Sequence, residues 1–119
     1  MKIAVTSQGK DLDFQVDPLF GRAAYILIVD SETLNFEALD NKENINALKG
    51  AGIQAASNIS NKGAEVLITG FCGPNAFKAL KAANIGVAND ASGTVREAVE
   101  AYLAGKLPLS EGANVEGHW

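Results

Sequence analysis

Four short apolar runs, each closed by glycine or polar residues, constrain this chain more than any other feature. They are residues 2–6 (KIAVT), 24–30 (AYILIVD), 64–69 (AEVLIT) and 85–88 (IGVA). Runs of this length and composition read as strands, the first of them buried on both faces. A fifth stretch, 34–40 (LNFEALD), sets Leu34, Phe36 and Ala38 against Asn35, Glu37 and Leu39. It follows a turn at 31–33 and reads as the second arm of a hairpin with one wetter face.

Helical patterns fill the later intervals. Gly50-Ala51-Gly52 opens the first, in which Ile53, Ala56 and Ile59 or Ser60 keep a helical period and Gly63 ends it. Pro74 starts a second, where its missing N–H is not needed, with Phe77, Leu80 and Ala83 as the apolar stripe. Thr94 and Glu97 have capping-box spacing at the start of the third. Its stripe of Val95, Ala98, Val99, Tyr102 and Leu103 is the cleanest amphipathic pattern in the chain, and Pro108 stops it. Residues 9–21 and 41–49 read as polar loops, with loose pairing around 14–16.

The order β-β-β-α-β-α-β-α predicts an α/β fold. Right-handed crossovers place the first, fourth and fifth strands in parallel, with the hairpin continuing the sheet antiparallel beyond the first. The expected sheet is five-stranded and mixed, of order 3-2-1-4-5, with flanking helices in a ribonuclease-H-like three-layer arrangement. Residues 1–108 form one domain in this reading and 109–119 a flexible tail.

Composition narrows the function. A net charge of −4 in 119 residues opposes nonspecific binding to nucleic acid or membrane surfaces. No apolar run approaches the roughly 18–20 residues of a membrane span. The opening MKIAV reads as a strand, not a targeting segment. With one cysteine no internal disulfide forms, which suits a reducing compartment. These features together point to the cytoplasm.

The topology gathers the loops that follow the first, third, fourth and fifth strands at one sheet edge, around a change of chain direction. Those segments are 7–22, 41–52, 70–75 and 89–94. They hold Gly9, Gly21, Gly50, Gly52, Gly70, Gly73 and Gly93, seven of the chain's twelve glycines. Three of the loops run into helix N-termini, whose N–H groups and positive dipole end favour an anion. The candidate binding residues are Ser7, Phe20, Gly21, Arg22, Lys49, Gly50, Gly52, Gly70, Gly73, Asn75, Gly93 and Thr94. The plain alternative is that the glycines only form turns. Arg22 and Lys49 offer fixed positive charge or are solvated surface cations.

Cys72 precedes a helix start, where the dipole favours thiolate and so ligation of a soft metal. It reads equally well as a small buried hydrophobe. His118 stands in the tail and could fold back as a ligand. One Cys and one His cannot fill a four-ligand zinc or iron–sulfur site. A bound metal must bring its own ligands, such as inorganic sulfide, or two chains must share it.

At these same residues the sequence resembles a known family. Asp17-Pro18-Leu19-Phe20-Gly21-Arg22-Ala23, Gly50-Ala51-Gly52-Ile53-Gln54-Ala55-Ala56, Gly73-Pro74-Asn75-Ala76-Phe77-Lys78-Ala79-Leu80 and Gly93-Thr94-Val95 with Glu97-Ala98 occur in order. Together they resemble the dinitrogenase iron–molybdenum cofactor biosynthesis family, which includes NifX-like proteins and the C-terminal domain of NifB-like proteins. Ala4-Val5-Thr6-Ser7 is similar to the orange-protein branch. The resemblance implies a ribonuclease-H-like fold, a cytoplasmic setting and non-catalytic binding of a molybdenum–iron or molybdenum–copper sulfide cluster, not necessarily retained on purification. The implied partners are the inorganic cluster or cluster-assembly proteins, and a homodimer is compatible with the sequence. Leu19 and Lys49 stand where many members carry histidine, which removes two potential ligands.

Other classes fit less well. A two-metal nuclease needs carboxylates at strand ends, whereas Asp11, Asp13, Asp17 and Asp90 lie in loops. A phosphate- or nucleotide-binding regulatory module is compatible with the glycine loops, although the usual phosphate-loop and dinucleotide fingerprints are absent from the sequence. A protein-interaction domain without ligand is the remaining alternative.

Overall fold

The computed structural model describes residues 1–41 and 51–110. Five strands, β1 (Lys2–Ser7), β2 (Tyr25–Asp30), β3 (Phe36–Asp40), β4 (Val66–Ile68) and β5 (Gly86–Ala88), form one sheet of order β3-β2-β1-β4-β5. β2 pairs antiparallel with β1 and with β3, while β1, β4 and β5 run parallel. The described helices are α1 (Ala51–Asn61), α2 (Pro74–Ala82) and α3 (Val95–Leu103). This is the sheet order that the pattern predicts.

Strand alternation divides the core into two halves. Ala4, Ile26, Ile28, Leu67 and Val87 pack with Ala55, Ala56 and Ile59 of α1 and with Ala76 and Leu80 of α2. Ile3, Val5, Leu27, Val29, Ile68 and Ala88 pack on the other face with Val95, Ala98 and Val99 of α3. Burial on both faces explains why these strands are apolar runs instead of alternating ones. The layers are therefore α1 and α2, then the sheet, then α3.

Several local expectations need correction. Leu34 is not part of the hairpin arm; it takes φ 62° and donates its N–H to the Asp30 carbonyl, so β3 begins at Phe36. Phe36 is 41% exposed, and Ala38 and Leu39 instead pack against opposite halves of the core. On α2 the fully buried residues are Ala76 and Leu80, and Ala83 is its exposed C-cap. The third helix stops well before Pro108. Gly105 takes φ 78° and Lys106 N–H reaches back to the Ala101 carbonyl, a glycine-terminated helix end. Of the expected tail, residues 109 and 110 are described and lie against β5: Ser110 N–H donates to the Val87 carbonyl at 2.6 Å and Leu109 packs against Gly86. Lys49, Gly50 and His118 lie outside the described residues.

α1 buries its small residues, Gly52, Ala55 and Ala56, while Ile53 is 51% exposed. The cause is the close approach of α2: a Cβ on Gly52 would stand 2.8 Å from the Ala76 Cβ. In an open helix Gly→Ala stabilises by about 0.5–1 kcal/mol, whereas overpacking costs about 1–3 kcal/mol. Gly52→Ala is therefore expected to lower the denaturation midpoint, with Ala76→Gly recovering part of the loss in the double variant. A midpoint at or above wild type would show that the two helices separate at no cost.

Candidate anion-binding edge

The parallel strands β1, β4 and β5 end on the same side, and α2 and α3 begin there. The intervening loop of residues 8–22 crosses this edge and is fastened to both of its neighbours. Asp17 N–H donates to Thr6 O at 2.9 Å, Phe71 N–H to Pro18 O at 2.6 Å and Phe20 N–H to Phe71 O at 3.1 Å. On the other side Val16 N–H donates to Gly93 O at 2.9 Å, and Gln15 bridges to Thr94. The loop segments expected to converge after β1, β4 and β5 therefore do so.

Close contact within the chain accounts for several of the glycines. Gly70 passes so near Pro18 that a Cβ would meet the Pro18 carbonyl oxygen at 2.7 Å. Gly52 serves the helix contact described above. Gly21 takes φ 92° in the turn that Arg22 N–H closes onto Leu19 O, leaving Phe20 buried against Ala55, Cys72 and Ala76 in one half of the core. Ser7 is occupied locally: its hydroxyl donates to Gly9 O at 2.7 Å and accepts from Gly9 N–H at 3.1 Å.

The two helix starts differ. At α3, Thr94 Oγ1 accepts from Glu97 N–H and the Glu97 carboxylate accepts from Thr94 N–H, completing the expected capping box. Those hydrogen bonds lower the Glu97 carboxyl below its ordinary range. The next N–H groups, Val95 and Arg96, donate to Phe14 O and Leu12 O, both at 2.9 Å. The donors expected to serve an anion around Gly93 and Thr94 are thus taken up by the chain itself. At α2, Gly73 is the N-cap without a side-chain bond and Pro74 has no N–H. Among the described residues no acceptor meets the N–H of exposed Asn75 or of Ala76. This start is the open one.

Cys72 does not behave as the dipole argument predicted. Its side chain is 0% exposed, packed with Phe20, Leu67, Ala76 and Leu80. Burial pushes the thiol up to about 12, so the neutral form prevails at physiological pH. The hydrophobe reading is the one this environment supports. Among the described residues no three His, Cys, Asp or Glu side chains are grouped to hold a metal ion.

The sequence reading passed over one residue. Asn89, directly after β5, is 6% exposed, and neither its Nδ2 nor its Oδ1 has a partner. It read as part of a polar turn, and only burial distinguishes it from Asp90. Two surface clefts lie elsewhere. One of about 290 Å³ sits between Lys81, Asn84 and Leu109, and one of about 370 Å³ between Leu39, Asn58 and Lys62.

The sequence profile described as dinitrogenase iron-molybdenum cofactor matches residues 1–105. The chain belongs to the dinitrogenase iron–molybdenum cofactor family. It is similar to the apo form of the orange protein from Desulfovibrio gigas, with 47% identity, TM-score 0.94 and 96% of each chain covered. A candidate NifB protein from Thermotoga, solved by NMR, is 38% identical with TM-score 0.79, covering 93% of this chain and 98% of that one. An uncharacterized protein of Methanocaldococcus jannaschii is 32% identical over 114 residues, 93% of this chain and 92% of its own. The likeness extends over nearly the whole chain.

Burial of Cys72 links to stability at high pH. The folded protein keeps the thiol proton that the unfolded chain loses near 9, so this group's contribution is complete below pH 9 and declines as pH rises toward about 12. Cys72→Ala should therefore lose less stability than wild type between pH 9 and 12, measured by urea unfolding at each pH. Parallel curves for the two proteins would contradict the buried neutral thiol.

Proposed function

We propose that this chain holds and carries a preassembled metal–sulfide cluster, molybdenum with iron or copper, and performs no chemistry on it. The observation that carries this reading is the donor set at the carboxyl edge: an open helix start, the turn Phe20-Gly21-Arg22, and a cysteine sealed away in its protonated form. Such donors suit an anion whose metals are already coordinated by sulfide. Family membership and the likeness to the orange protein support the same reading.

In this reading the N–H groups at the start of α2 donate to sulfide on one side of the cluster, where the helix dipole favours negative charge. The Arg22 guanidinium adds fixed charge from the neighbouring turn. A cluster held this way can be released without breaking a metal–protein bond, which suits exchange with cluster-assembly proteins. Those proteins are the proposed partners, and a cytoplasmic, reducing setting suits a sulfide-bearing cargo.

The test is loading under anaerobic conditions. Purified protein mixed with tetrathiomolybdate and copper(I) should acquire a visible chromophore that co-elutes with it on gel filtration. Arg22→Ala should weaken uptake by about tenfold, the effect of losing one charge-assisted contact of about 1.4 kcal/mol. Cys72→Ala should load as wild type does. Absence of any co-eluting chromophore would sink the reading.

A further inference from the structure

Thr6, Thr69 and Asn89 follow one another across the carboxyl ends of β1, β4 and β5. In each strand the preceding residues alternate between the two core halves, with Ala4, Leu67 and Val87 on the side of α1 and α2. The same alternation places Thr6, Thr69 and Asn89 on that side, at the end where α2 begins. Thr6 and Thr69 form a closed pair. Thr6 Oγ1 donates to Asp17 O at 2.6 Å and lies 2.9 Å from Thr69 Oγ1. A hydroxyl has one proton, so Thr69 supplies the proton of the second bond and has none left for Asn89.

Asn89 is held in place from both directions. Asp90 N–H donates to Gly70 O, Ala91 N–H to Thr69 O and Thr69 N–H to Ala88 O. Its backbone is thus fixed beside the turn that leads through Gly70 to the N-cap Gly73, and its side chain carries a donor and an acceptor both unmet. Buried amides are nearly always partnered, by protein, water or a bound ion, so this one has room in its hydrogen bonding for a partner from outside the chain.

We infer that the Asn89 amide and the open start of α2 form a niche for one compact tetrahedral oxo- or thioanion. Nδ2 and the N–H groups of Asn75 and Ala76 donate to its chalcogen atoms. Oδ1 accepts from a protonated chalcogen or from a water the anion carries. The inference rests on the cargo reading above and names the residue that grips one corner of that cargo.

The experiment is a titration of the full chain with tetrathiomolybdate, followed by amide NMR, on wild type, Asn89→Leu and Asn89→Asp. In wild type the backbone amides of Asn75 and Ala76 and the side-chain NH2 of Asn89 should shift together. Asn89→Leu, which keeps the branching at Cγ and removes both polar atoms, should weaken binding at least tenfold, and Asn89→Asp should weaken it further by placing a carboxylate against the anion. Equal affinity for Asn89→Leu, or binding without a shift of the Asn89 side chain, would overturn the niche and leave the cargo reading standing. The wild-type shift decides the matter even if a variant fails to fold. No thioanion binding to wild type would overturn the cargo reading. Inorganic phosphate then tests the niche: shifts at Asn75, Ala76 and Asn89 sustain it, and their absence overturns it.

Discussion

Val95 and Arg96 give their backbone N–H groups to the carbonyls of Phe14 and Leu12, and the arrangement of the carboxyl edge depends on this pair of bonds. A helix start carries N–H groups with no partner inside the helix, and whatever meets them is drawn there. In this chain the loop after β1 meets those of α3. It is then long enough to reach the turn after β4, where Phe71 N–H donates to the Pro18 carbonyl. The loop is thereby clamped between two strand ends. One helix start is used for architecture, while at α2 no acceptor among the described residues meets the N–H of Asn75 or Ala76.

The chemistry that remains follows from where the apolar core ends. Cys72 lies on the core side of that boundary, among Leu67, Ala76 and Leu80. The dipole of α2 favours a thiolate there, but desolvation is the larger effect and keeps the thiol protonated. Asn75, two residues into the same helix, is on the water side. A shift of three residues along the chain thus separates a thiol that burial keeps protonated from an exposed residue whose N–H no acceptor meets among the described residues.

The sheet was legible in the sequence because burial on both faces writes itself as unbroken apolar runs: Ile26, Leu27, Ile28 and Val29 allow no other placement. The capping box at Thr94 was legible because its two bonds depend on two side chains at fixed spacing. The path of residues 8–22 was not, since its anchors are peptide groups that every residue possesses. The glycines are ambiguous for a related reason. A missing Cβ permits a ligand to approach, and it equally permits Ala76 to approach Gly52 or Pro18 to approach Gly70. Composition cannot tell these apart; only knowledge of what stands opposite does. Asn89 escaped notice because a polar residue after a strand is ordinarily solvated, and its burial is created by elements distant in sequence.

A protein of net charge −4 is an unobvious holder for an anion, and the scale of the forces resolves this. At physiological salt, charges separated by more than about 8 Å are largely screened. The pull of a helix start likewise falls off within its first turn. Distant carboxylates on the exposed surface therefore do little at the edge, and local donors decide. Glu97, the acid nearest the α3 start, is already engaged with Thr94 and turned to the capping box. At α2 the first helical turn holds no acidic residue. The negative surface then acts on selectivity more than on affinity. It discourages the nonspecific capture of polyanions and acts little on the local donors at the start of α2.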